Sequence, residues 1–116
     1  MLAEELYDAA IDRMAEGDYG AAIEGFRASL AADSAFRDAA HGLIHAFKGA
    51  GQLDEAIRVA QQLIADDPDD PLAYTSLSIL YQHQGKIAEA EAAGLRAKLL
   101  GWKQQLRANP GHGGEE

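Results

Sequence analysis

The chain has 116 residues, of which 47% are hydrophobic and 25% charged, and it contains no cysteine, which excludes disulfides and thiolate metal sites. Its net charge of -9 argues against nucleic-acid binding, because neutralising a phosphate backbone requires a positive surface. No apolar run approaches the roughly 18–20 residues that cross a bilayer, and the acidic beginning is unlike a signal peptide. We therefore expect a cytoplasmic globular protein with no nucleic-acid or membrane partner.

Three similar segments recur along the chain at an interval of 34 residues: GDYGAAI at 17–23, GQLDEAI at 51–57 and GKIAEAE at 85–91. Each glycine separates two stretches whose apolar residues follow the three-to-four spacing of one helical face. In the first copy, residues 3–36, these are Leu6, Ala9, Ala10 and Met14, then Ala22, Ile23, Phe26 and Leu30. The pattern predicts two helices joined by a turn at Gly17, where glycine adopts a left-handed conformation without steric cost.

The second copy, residues 37–70, and the third, residues 71–104, repeat this arrangement. At the boundary between these copies, Asp70 supplies a helix N-cap and Pro71 stands at the first helical position. Period-two alternation, which would indicate strands, is not sustained anywhere. In the third copy, Leu95, Leu99, Trp102 and Leu106 continue the helical spacing, so the last helix is predicted to extend to about residue 108.

The 34-residue pattern W-x2-L-G-x2-Y, then A-x3-F, then P is that of the tetratricopeptide repeat family, and residues 3–104 resemble it. The alanine is present in all three copies as Ala22, Ala56 and Ala90, whereas the aromatic four residues later occurs only as Phe26. The resemblance implies an all-α fold, a right-handed α-solenoid of three helix-turn-helix repeats with an extended last helix. One domain over residues 1–108 and a disordered tail over 109–116 are expected.

The resemblance also implies that the first helix of each repeat lines a concave groove that binds a peptide or helix of a partner protein. The residues one step beyond the core stripe are the predicted groove: Tyr7, Ile11 and Met14; His41, His45 and Lys48; Thr75, Ile79 and Gln82. Co-chaperones of this family hold a C-terminal carboxylate with basic and amide residues at such places. That clamp is missing here, so an amphipathic or basic partner segment is expected. The alternative is that Tyr7 and Met14 merely pack against Phe47, His41 and neighbouring helices.

Two histidines suggest a weaker hypothesis. His41 and His45 are four residues apart, and Asp38 lies one turn earlier, so three metal-capable side chains share a helical face. The HGLIH sequence lacks the glutamate of a metalloprotease helix, and the chain has neither a serine elbow nor a phosphate-binding loop. We expect no enzyme activity, no cofactor and no metal.

The last helix suggests a second kind of function. Its apolar residues Leu95, Leu99, Trp102 and Leu106 either fold back on the third repeat or meet another chain. Self-association through this edge is predicted, as a closed two-fold dimer or as head-to-tail stacking of the mildly basic third copy on the acidic first. The adaptor that binds through its groove is the leading hypothesis, and a structural assembly subunit that docks through its edges is the alternative.

Overall fold

A computed structural model describes residues 2–109, which form six α-helices. The bounds are Ala3–Ala15 (α1), Tyr19–Ala32 (α2), Arg37–Gly49 (α3), Leu53–Asp66 (α4), Pro71–His83 (α5) and Ile87–Ala108 (α6). The first helices of the three pairs begin at residues 3, 37 and 71, and the second helices at 19, 53 and 87. The 34-residue interval is therefore the interval of the helices, and the all-α fold of three helix-turn-helix pairs is confirmed.

Glycine ends the turn of each pair, as predicted. Gly17, Gly51 and Gly85 have φ of +81°, +79° and +75°, a left-handed conformation that side chains other than glycine rarely adopt. The carboxylate of Asp70 accepts a hydrogen bond from the Leu72 amide at 2.9 Å and caps α5, whose first residue is proline. The turn glycines therefore recur at the same position of each 34-residue repeat.

Alanine allows the two helices of each pair to approach closely. Ala22, Ala56 and Ala90, the alanines shared by all three copies, are at most 2% exposed, so each lies on the buried side of its second helix. Gly25 makes a similar contact, since a Cβ there would lie 2.8 Å from the Cβ of Ala10. The closeness of the helices thus depends on small residues at recurring positions.

The first helices form one row. Each second helix packs on the next first helix, α2 on α3 and α4 on α5, and in addition α1 contacts α3 and α3 contacts α5. No comparable contact joins α2 to α4 among the described residues. The row α1–α3–α5 is therefore the concave side, and the second helices are spread along the convex side.

The core is centred on α3, which has seven buried residues, more than any other helix. Phe26 from α2 is fully buried against it, and its ring occupies the place that a side chain at Gly42 would take. The phenyl ring of Phe26 thereby joins the first repeat to the second. In a densely packed core there is no room for both this ring and a side chain at residue 42, which is why residue 42 is glycine.

The last helix is longer than the others. α6 has 22 residues, against 13 or 14 in each other helix, and runs without interruption through Gly94 and Gly101, as predicted. None of the described helices combines the length and hydropathy that crossing a bilayer would require. Of the predicted tail 109–116, all but Asn109 lies outside the described residues.

Candidate functional site

The first predicted groove stripe is partly used in packing. Tyr7, Ile11 and Met14 are half-buried against the core. The Tyr7 ring lies 5.8 Å from that of Phe26 and 5.2 Å from that of Phe36, centroid to centroid. It therefore packs on the joint with the second repeat, while part of its surface remains accessible. These ring partners differ from Phe47, the partner that the packing alternative named.

The second stripe is divided between structure and surface. The Nε2 atom of His41 lies 3.2 Å from the Oδ2 atom of Asp70, and the two side chains are only 18% and 11% exposed. Arg37 Nη2 donates to the same carboxylate oxygen at 2.5 Å. Asp70 thus caps α5 and holds two side chains of α3, so that it joins the second repeat to the third.

The charges at this joint follow from its hydrogen bonds. Burial alone would raise the pKa of Asp70, but hydrogen bonds from Arg37, the Leu72 amide and His41 outweigh it, and the pKa lies below its ordinary value. The carboxylate is therefore ionised at neutral pH. Sequence reasoning identified Asp70 only as a cap, because the residues that it meets lie about one repeat earlier in the chain.

His45 and Lys48 are nearer to solvent. Burial lowers the pKa of the His45 imidazole, and the nearby Lys48 and His41 lower it further, so the ring is neutral at pH 7. A neutral imidazole can both donate and accept one hydrogen bond. His45 is accordingly the histidine of this helix with a surface available to a ligand.

A metal site does not form around the histidines in the part of the chain that the structure describes. Between residues 2 and 109 no group of three or more His, Cys, Asp or Glu side chains is arranged to hold an ion. His41 is bonded to Asp70 instead of sharing a site with Asp38 and His45. Asp38, His41 and His45 therefore do not come together as the three metal ligands that the hypothesis required.

The third stripe is the most open. Thr75, Ile79 and Gln82 line a hollow of about 400 Å³ between α5 and α6, together with Ser78, Gly94, Ala97 and Lys98. Ile79 is 37% exposed. Gly94, which lines this hollow, aligns with Phe26 of the first repeat, so the third repeat has no aromatic ring at this place.

The predicted self-association residues form an exposed ridge, which we define as Leu95, Leu99, Trp102 and Leu106. They are 57%, 47%, 63% and 48% exposed, so the ridge does not fold back on the third repeat. The opposite side of α6 holds the helix to the body, through buried Leu100 and through Gln104 Nε2, which donates to the Asp69 carbonyl at 2.6 Å. The ridge therefore points away from the rest of the chain.

Sequence reasoning missed a deep groove on the convex side, which we call the α2–α4 groove. Its volume is about 620 Å³, and Ala40 lies in its lining between the two second helices. The full lining is Arg27, Leu30, Ser34, Ala35, Phe36, Arg37, Ala40, Leu43, Phe47, Glu55, Arg58, Val59, Gln62, Leu63 and Asp66. A signal was available, because Ala40 stands where the repeat pattern has tryptophan and where the third repeat has Tyr74.

Comparison with known proteins gives a family match. A family model described as tetratricopeptide repeat matches residues 13–78 and 47–98. A curated relative, the photosystem I assembly protein Ycf3 of Synechococcus sp. (strain CC9311), is 26% identical over 107 residues, 83% of this chain and 61% of the relative. The chain thus spans about three fifths of the length of that relative.

Solved structures are similar in fold. The Yersinia enterocolitica type III secretion translocator chaperone SycD superposes with a TM-score of 0.81 at 26% identity, over 84% of this chain and 73% of that one. The second repeat domain of Spaghetti (RPAP3), bound to the HSP90 peptide SRMEEVD, gives 0.77 at 25% identity, over 86% and 93%. SycD has also been solved with a peptide of the translocator YopD, with a TM-score of 0.77, 27% identity, and coverage of 84% and 74%.

Proposed function

The chain belongs to the tetratricopeptide repeat family, and on that premise we propose that it is an adaptor that binds a segment of a partner protein along the concave row of first helices. Two similar structures, at 25% and 27% identity, contain a bound peptide. The observation that carries the proposal is the open third stripe, where Thr75, Ile79 and Gln82 line a hollow beside an exposed isoleucine. An apolar side chain of a partner would be buried there.

The residues of the concave row favour a partner segment with apolar and basic residues. Glu4 and Asp38 are exposed on α1 and α3, and His45 is neutral at pH 7. The peptide SRMEEVD of the RPAP3 complex carries acidic residues at its C-terminal end. This chain has Tyr7, Ile11, His45, Thr75 and Ile79 where a carboxylate clamp would have basic and amide side chains. We therefore propose that it discriminates against such acidic ends.

Selection from a library of random peptides would test this proposal, with SRMEEVD as a defined acidic probe. Peptides enriched on the wild type should combine apolar and basic residues and bind more tightly than SRMEEVD. Ile79→Glu should weaken them by about tenfold or more, because one buried apolar side chain contributes roughly 1.5–3 kcal/mol. The matched control is Ile87→Glu, the same exchange at an exposed position of α6.

Two results would overturn the adaptor proposal. One is enrichment of acidic C-terminal sequences, for which the predicted groove offers a single lysine, Lys48, in place of a set of basic and amide side chains. The other is equal loss of binding in Ile79→Glu and Ile87→Glu, since only the first lies in the concave row. Circular dichroism of both variants would establish that they remain helical.

The exposed ridge favours a second candidate function, that of an assembly subunit that associates with further copies. Four large apolar side chains lie in water on one helix, and covering them would be favourable. Light scattering after size exclusion should show species larger than a monomer that Trp102→Glu dissociates. A monomer at every concentration, unchanged by that substitution, would exclude this function and leave the adaptor proposal intact.

A further inference from the structure

The ridge has no counterpart in the other repeats, and ordinary stacking of repeats would not cover it. Leu95 and Leu99 align with Arg27 and Ala31 of the first repeat. Both of those residues are exposed on the convex side. Phe26, which aligns with Gly94, is the residue of α2 that packs on the next repeat at Gly42, so stacking uses the Gly94 side of the second helix and not the side of the ridge.

The charge of α6 disfavours pairing of two ridges. Residues 92–109 contain four bases and no acid, so every charged side chain in this stretch of α6 is positive. Arg96, Lys103 and Arg107 share one flank, because their spacings of seven and four place them on one face of the helix. In a two-fold antiparallel pair that flank would lie beside its own copy, three bases against three. Such like charges are destabilising, so the closed dimer through α6 is disfavoured.

The α2–α4 groove provides a different acceptor. Apolar side chains of α2, α3 and α4 line it, with Leu43, Phe47 and Leu63 almost fully buried. Residues 19–67, which carry the groove, have seven acids and four bases, a charge of -3. All three arginines of the lining are already paired, Arg27 with Glu24, Arg37 with Asp70 and Arg58 with Glu55. Asp66 has an amide partner, Gln62, but no base within the described residues 2–109.

We propose that the ridge of one copy docks in the α2–α4 groove of a second copy. Apolar spacings of four, three and four are those with which a helix enters an apolar groove, and the basic flanks would meet the acidic segment that carries it. The contact is heterologous, because the two surfaces lie on different parts of the chain. After two copies have docked, one of them still has a free ridge and the other a free groove. Further copies can therefore add at either end and form open chains of subunits. This inference rests on the assembly function and assigns its acceptor.

Two classes of variant separate ridge from groove. Trp102→Glu with Leu99→Glu removes the ridge at exposed positions. Ala40→Tyr places a ring in the lining of the groove, and tyrosine is the residue that the third repeat has at the equivalent position, Tyr74. Ala35→Trp blocks the groove from an exposed position of its rim, in case Ala40→Tyr impairs folding.

The deciding experiment is analytical ultracentrifugation of each protein alone and of a mixture. Wild type should form species whose mass rises with concentration and falls with added salt, because charge contributes to the contact. Ridge and groove variants should each remain monomeric, with association weakened by about tenfold or more. An equimolar mixture of the two should form a one-to-one dimer and nothing larger, since it contains one intact ridge and one intact groove.

Other outcomes would overturn the proposal in distinguishable ways. If the ridge variant is monomeric while both groove variants associate like wild type, assembly stands but the groove is not its acceptor. The absence of a dimer in the mixture would contradict heterologous docking. A wild type that stays monomeric yet sediments with vesicles containing phosphatidylglycerol, in a ridge-dependent way, would assign the ridge to an anionic membrane surface and overturn both.

Discussion

The first and third repeats share one register but direct their large apolar side chains to different sides of the second helix. Phe26 of α2 aligns with Gly94 of α6, whereas Leu95 aligns with Arg27. The large apolar residue has moved by one position, which is about 100° around a helix. In α2 it enters the core, and in α6 it faces water. The repeated positions therefore determine the scaffold, and departures from them determine which surfaces are open to partners.

The largest expected effect compares the two aromatic side chains. Phe26→Ala should lower the free energy of unfolding by about 3–5 kcal/mol, because it removes a fully buried ring at the joint of two repeats. Trp102→Ala should change it by less than about 0.5 kcal/mol in dilute solution, because the indole is 63% exposed. Urea denaturation followed by circular dichroism measures both. Equal costs would contradict the outward orientation of the ridge.

The joint between the second and third repeats should be less sensitive than the joint at Phe26. Asp70→Ala removes a helix cap and the partner of Arg37 and His41, with an expected cost of about 1–2 kcal/mol. Asp70→Asn keeps a capping side chain and should cost less. Asp69→Asn, the exposed neighbour, is the control.

The pH dependence of this joint has a defined sign. The pKa of Asp70 is lower in the folded protein than its ordinary value, so its charge stabilises the fold above the unfolded-state pKa. That contribution is lost as the pH falls through the folded-state pKa. The difference in unfolding free energy between wild type and Asp70→Asn should therefore be full at pH 7 and shrink in acid. A difference that grows in acid would contradict the assignment.

Features with a local cause could be predicted from the sequence. The turn glycines, the cap at Asp70 and the extension of α6 each depend on neighbouring residues, and all three are confirmed. The contact of Asp70 with His41 could not be predicted, because it depends on how two repeats are oriented. The α2–α4 groove could be predicted in part. Ala40 stands where the repeat pattern has tryptophan, which indicates that a large side chain is missing there, but the shape of the resulting groove depends on how the helices pack. The predicted concave site remains a prediction.

A smaller effect is expected at the turn glycine of the third repeat. Gly85 has φ of +75°, and nothing lies within 4 Å of a Cβ added there, so the cost of Gly85→Ala is one of backbone conformation alone. That cost is about 1–2 kcal/mol. Thermal denaturation should show a lower Tm than wild type. An unchanged Tm would indicate that the turn between α5 and α6 is not left-handed in solution.

The smallest effect has the opposite sign and tests the helix that carries the ridge. Gly101 lies inside α6, and an added Cβ there would have open space around it. Gly101→Ala should therefore stabilise the protein by about 0.5–1 kcal/mol, because alanine loses less conformational freedom than glycine on entering a helix. The measurement is again Tm, together with helical content from circular dichroism. Destabilisation would mean that α6 is interrupted at residue 101 in solution, and Trp102 and Leu106 would then not share a face with Leu95 and Leu99.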